Sequence, residues 1–237
     1  MDRRKVLASI GAAGLVSAPI GARAGTSPLR LEWVFDNLTT IDDQPVVVEG
    51  APKLIDTPLG RSTLFDGVGD GLFINKHPLA GAKRFAFEAY FRPDGGSHEQ
   101  RWLYLGEPIV PPYSANPQAA PRFTFEIRVV GDQWYLDAFM LGPTYQQGLS
   151  YPDKVYPLGQ WFHVAQTYDG TTYRSYVNHV LQGQAEVDYR PQGQGASSIG
   201  TRMTHEYYFK GAIRSARFTH AFLEPDQFLP VPDHGRA

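Results

Sequence analysis

The chain has 237 residues, of which 42% are hydrophobic and 13% aromatic, with no cysteine and a formal charge of −2 at pH 7. That balance offers no basic field to a phosphate backbone, so it excludes a nucleic-acid partner. The lack of cysteine excludes disulfides and cysteine–zinc clusters, so stability must come from packing, to which buried aromatic rings contribute a large apolar area.

In chain order, Arg3-Arg4-Lys5 forms a basic start and Val6 to Ile20 a weakly apolar Ala/Gly-rich stretch. Ala22-Arg23-Ala24 then reads as a cleavage site. The pattern predicts a signal peptide over residues 1–24, and the adjacent arginines favour twin-arginine export. The apolar run is short and broken by Gly11, Gly14 and Pro19, so it does not read as a membrane span, and no later run does either. The mature protein is expected in the periplasm or outside the cell, as one domain over residues 25–231 with a tail at 232–237.

Beyond the leader, Pro, Gly, Asp and Asn recur at short intervals and no sustained helical period appears, which predicts an all-β sandwich. Leu31–Phe35, Pro45–Glu49, Arg61–Phe65 and Leu72–Ile74 read as strands, with Asp66 to Gly71 as a glycine-rich turn. Phe85–Arg92 alternates clearly and stops at Pro93-Asp94-Gly95-Gly96. Phe123–Val129 and Trp134–Met140 form a hairpin whose first strand puts Phe123, Phe125, Ile127 and Val129 on one face. Arg122, Thr124, Glu126 and Arg128 take the other face. Two proline-rich stretches, Leu105–Pro121 and Gly142–Pro157, read as irregular insertions. Trp161–Tyr168, Thr172–Val177 and the strand from Val180 form a meander turning at Asp169-Gly170 and Asn178-His179. Ser198–Gly200, Tyr207–Lys210 and Gly211–Phe218 close the pattern, and Glu224–Phe228 allows one helical turn.

Several of these segments resemble the laminin-G-like, concanavalin A-like jelly roll. They are LEWVFD, PLGRSTLFDGVGDGLFI, FAFEAYFRPDGG, the Trp161 to Asn178 signature and the closing segment Ser198 to Phe218. The resemblance covers about Leu31 to Phe228 and implies a two-sheet antiparallel sandwich with at most one short helical turn near the C-terminus. It leaves function open, since this fold hosts lectins, adhesion domains, hydrolases and lyases. Many relatives hold calcium near the Asp-Gly turn. Asp66 and Asp70 are present, but Arg214 stands where relatives carry acidic residues. A cation there competes with Ca²⁺, and pairing of Arg214 with Asp66 is the expected alternative, so no cofactor is assigned. His179 replaces the usual turn glycine and must tolerate a left-handed conformation.

The candidate site residues follow from the same segments. His163, mid-strand in the signature, reads as a buried structural histidine. Glu126 and Arg128, with Arg122, lie on a polar face that in jelly-roll lyases and glucanases carries the site. They are candidates to contact a sugar or to act as acid and base, against the plain reading of a solvated sheet face. For an enzyme, His205 and Tyr207 add an imidazole near a phenol. For a binding protein, Trp102, Tyr113, Tyr145 and Tyr151 in or beside the insertions are expected to stack on sugar rings, with stiff proline-rich loops lowering the cost of ordering. The leading expectation is an exported glycan-binding protein. A polysaccharide lyase or hydrolase, and an envelope protein-interaction domain, stand as alternatives.

Overall fold

A computed structural model of the chain describes residues 27–109 and 116–233, so the predicted signal peptide and Tyr113 lie outside the described residues. The first half forms β1 (Arg30–Val34), β2 (Thr40–Ile41), β3 (Gln44–Pro45), β4 (Val47–Glu49), β5 (Lys53–Ile55), β6 (Ser62–Asp66), β7 (Gly71–Ile74), β8 (Phe85–Pro93) and β9 (Glu99–Gly106). The second half adds β10 (Arg122–Val130), β11 (Gln133–Gly142), β12 (Tyr145–Ser150), β13 (Tyr156–Pro157), β14 (Phe162–Tyr168), β15 (Thr172–Val177), β16 (Val180–Glu186), β17 (Ala196–Ile199) and β18 (Lys210–Thr219).

One antiparallel sheet runs β16-β15-β14-β8-β18-β6-β5, with β1 also on β18. The other runs β12-β11-β10-β9-β17-β7-β4, with β13 on β11. Together they make the all-β, two-sheet jelly-roll sandwich expected from the sequence. The period-2 alternation of each strand sends one set of side chains between the sheets. Phe85, Phe87, Ala89 and Phe91 of β8 meet Phe123, Phe125 and Ile127 of β10 and Trp134 and Leu136 of β11 there. Phe87 and Phe125 touch across the gap with ring centroids 4.1 Å apart. Each fully buried phenylalanine contributes about 1.5–3 kcal/mol.

The meander β14–β15–β16 turns as its sequence dictates. Asp169 Oδ1 accepts the N–H groups of Thr171 and Thr172, each at 2.8 Å, while Gly170 takes φ +106°. Asn178 and His179 both sit at positive φ (47° and 66°), the paired left-handed geometry of a two-residue hairpin.

Four features depart from the sequence reading. β9 is a full strand at the centre of its sheet, although no strand is predicted there. The second insertion is not irregular throughout, because Tyr145–Ser150 pairs along β11 as β12. A 3-10 turn at Pro117–Ala119 joins the one at Pro225–Gln227, so the helical content is not confined to the C-terminal end. Tyr207–Phe209 is not strand; His205 and Tyr207 take φ of 58° and 60° as the chain turns before β18.

The outer face of the first sheet is covered by the chain's own end. Ala86, Ala165, Tyr176, Leu223 and Phe228 form a second apolar cluster beneath that segment. Buried Glu88 holds it down, accepting the Leu229 backbone N–H at 2.5 Å, the His163 Nε2–H at 3.1 Å and the Arg217 guanidinium. Burial raises the Glu88 carboxyl, but these donors outweigh it and leave it below the usual range. His163 is thereby a fully buried structural group, its imidazole pushed down by burial.

A candidate ligand-binding face

The outer face of the second sheet carries a depression of about 310 Å³ over β9, β10 and β11. Strand pairing sets out its rows. Glu126 lies between Asp137 and Arg101, Arg128 lies beside Glu99, and Thr124 is flanked by Phe139 and Tyr104. Arg101 reaches this face through a β-bulge. The partner of β10 steps from Leu103 at Phe125 to Arg101 at Glu126, which leaves Trp102 unpaired and turned into the core.

Two loops complete the rim. The Arg101 N–H donates to the Tyr207 carbonyl at 2.8 Å, docking the turn before β18 onto β9 and bringing Arg202 and Tyr207 to the face. The 3-10 turn Pro117–Ala119 sets Gln118 beside Arg122 and Arg202.

The charges form a crossed network. The Arg128 guanidinium contacts Glu126 at 2.9 Å, Asp137 at 2.7 Å and Glu99 at 3.1 Å, while Arg101 contacts Glu126 at 3.1 Å and Glu99 at 2.5 Å. Burial pushes the Glu126 and Asp137 carboxyls above their ordinary values despite these guanidiniums. Aromatic rings border the network. Arg101 stacks 3.9 Å over the centroid of Tyr207, which is 38% exposed, and Arg122 lies 5.2 Å from that of half-buried Phe139.

Of the residues singled out from sequence, Arg122, Glu126 and Arg128 share this depression. Trp102 does not join them and is corrected to a core residue. It is fully buried and stacked on Phe91, so no sugar reaches it. Tyr145 is corrected likewise: it is buried against Tyr189, and its hydroxyl donates to the Arg190 carbonyl. Tyr151 packs over Gly183 of β16, away from the depression. Tyr113 lies outside the described residues.

The imidazole–phenol pair is not assembled either. His205 Nδ1 meets Glu49 at 2.9 Å and its ring lies on Phe73, whereas Tyr207 faces Arg101. Sequence reasoning missed Arg101, Arg202, Asp137 and Phe139. The last two were legible in principle, since they occupy the outward phase of a strand whose inward phase is Trp134, Leu136, Ala138 and Met140.

The Asp-Gly turn beside β6 is closed by its own carboxylates. Asp66 Oδ1 accepts the N–H groups of Val68, Gly69 and Asp70, and the two Asp70 oxygens accept those of Ala51 and Asp66. Lys53 and Lys210 line the adjoining cavity. Arg214 does not pair with Asp66 as expected; it donates to the Leu59 and Arg61 carbonyls. Asp66 Oδ1 and both Asp70 oxygens are therefore engaged in closing the turn, and the cavity beside it carries Lys53 and Lys210 as well as Asp94.

The family model for the concanavalin A-like lectin/glucanases superfamily matches residues 66–227, more than half of the chain. No curated protein sequence matches. Among solved structures, the chain is similar to domain 4 of AbnA, a GH43 extracellular arabinanase from Geobacillus stearothermophilus in complex with arabinotriose. The identity is 17% and the TM-score 0.62, over 85% of this chain and 97% of that one. It is also similar to the Ruminococcus gnavus IT-sialidase CBM40 bound to α2,3-sialyllactose, at 17% identity and TM-score 0.53, over 76% and 95% of the two chains. The receptor-binding domain of botulinum neurotoxin C/D mosaic serotype matches at 10% identity and TM-score 0.58, over 83% of this chain and 48% of that one. At these identities the likeness is one of fold.

Proposed function

Because this chain belongs to the concanavalin A-like lectin/glucanase superfamily, we propose that it binds a glycan on the outer face of its second sheet. The observation that carries the reading is the depression itself. Guanidiniums and carboxylates lie between Phe139 and Tyr207, two rings with exposed surface. Sugar hydroxyls pair with charged donors and acceptors, and sugar C–H faces stack on aromatic rings, so this mixture suits a saccharide better than an apolar ligand. The oligosaccharides named with the arabinanase domain and with CBM40 support the same class of ligand. Export through the leader at residues 1–24 would place the protein where such glycans occur.

Binding to an array of neutral and acidic oligosaccharides tests the reading. A hit lost in Phe139→Ala and Tyr207→Ala is the expected result, and a blank across the array overturns it.

One observation favours a second reading, a polysaccharide hydrolase or lyase. Glu126 and Asp137 are cross-strand partners whose carboxyls burial pushes upward, as a general acid requires. Arg128 bridges both, however, and holds them as structural counter-ions. Release of a shortened product from any bound polysaccharide would establish the enzyme reading.

A further inference from the structure

The four arginines of the depression are not equivalent. Arg101 and Arg128 are neutralised by Glu99, Glu126 and Asp137. Arg122 and Arg202 have no carboxylate partner among the described residues, although each is only 8% exposed. Their donors meet neutral oxygens instead. Arg122 donates to the Gln118 carbonyl at 2.7 Å and the Ala120 carbonyl at 3.2 Å, and Arg202 donates to the Gln118 side-chain oxygen. The Arg202 Nε is buried with no acceptor. The nearby phenol of Tyr104 supplies no negative charge, because burial raises it above its usual range.

Two buried guanidiniums with no carboxylate in contact are costly, and the cost is relieved by a carboxylate placed between them. Gln118 is the exposed member of the arrangement. Its side-chain oxygen occupies Arg202 as an acceptor that can swing away into solvent without breaking the sheet.

Resting on the glycan-binding reading, we propose that Arg122 and Arg202 form the subsite for the carboxylate of an acidic sugar. The side chain of Gln118 is a placeholder that the carboxylate displaces. The neutralised half of the face with Tyr207, and Phe139 beside Arg122, then receive the uncharged remainder of the saccharide.

The test is calorimetric titration of the full chain with two matched pairs: lactose against 3′-sialyllactose, and galactotriose against trigalacturonate. The pairs separate a sialic acid from a uronic acid as the source of the carboxylate. At least one acidic member is expected to bind about tenfold or more tighter than its neutral match, with the preference shrinking in high salt. Arg202→Gln, checked for an unchanged circular-dichroism spectrum, is expected to bring the two within about threefold. Gln118→Ala is expected to hold or raise the acidic affinity, since it removes a competitor.

Equal binding within both pairs overturns the carboxylate subsite and leaves the glycan-binding reading standing. No binding to any of the four, together with a blank array, removes both. A preference unchanged in folded Arg202→Gln also overturns the subsite. A loss of acidic affinity in Gln118→Ala overturns the placeholder role.

Discussion

Trp102 stacks on Phe91 with ring centroids 4.9 Å apart and planes 23° from parallel, joining the central strand of one sheet to that of the other. A tryptophan beside a long loop looks like a ligand platform in sequence, and here it is the middle of the core. Trp102→Ala is therefore expected to cost about 3–5 kcal/mol in chemical denaturation. Glycan affinity of the molecules that remain folded should be unaffected. Phe139→Ala should do the reverse, costing little stability and removing binding. A stable Trp102→Ala protein that has lost its ligand would contradict this assignment.

Glu126 separates two guanidiniums that would otherwise face each other. Glu126→Ala removes one counter-ion from each guanidinium while Glu99 and Asp137 remain, and a loss of about 1–3 kcal/mol is expected from urea unfolding. A catalytic Glu126 would behave differently, with activity lost and stability barely changed.

The buried His77 predicts acid sensitivity. Its Nδ1 accepts the Leu79 N–H at 3.2 Å and its Nε2–H donates to Gln192 at 3.0 Å, so the neutral ring is satisfied and a second proton has no place. Burial lowers its pKa from 6.5 to about 4. With the folded value depressed, the unfolded chain binds the extra proton first, so stability is complete above pH 6.5 and falls as pH drops towards 4. The loss is about 3 kcal/mol for this group. His163, also pushed down by burial, adds in the same direction. Asn at position 77 can still accept from Leu79, so thermal unfolding of His77→Asn across this window should show a shallower pH slope than the parent. An identical slope would remove His77 as the cause.

The C-terminal cover depends on Glu88. Glu88→Ala should leave Arg217 buried without its anion and release the Leu229 N–H, at a cost of about 3–5 kcal/mol. Hydrogen exchange at Leu229 should accelerate more than exchange in β10. Uniform acceleration across both sheets would show instead that the cover and sandwich open together.

Calcium should leave the thermal midpoint unchanged relative to chelator. Asp70→Ala should lower stability by about 1–3 kcal/mol by leaving the Ala51 and Asp66 N–H groups without acceptors. A calcium-dependent rise in the midpoint would reverse this account of the turn.

The sandwich was legible in the sequence because the alternation of Phe85 to Phe91 and of Phe123 to Val129 is a local consequence of strand geometry. The Asn178-His179 turn was legible because a two-residue reversal demands left-handed backbone wherever it occurs. The polar face of β10 followed from the same alternation, and Arg122, Glu126 and Arg128 came with it. The rest of the site is non-local. Arg101 faces outward only because a bulge at Trp102 shifts the register of β9. Arg202 and Tyr207 join the site only because their turn docks on that strand, from a part of the chain about a hundred residues away. Which arginines keep a carboxylate partner and which do not depends on these meetings between strands and loops, and a linear pattern carries no record of them.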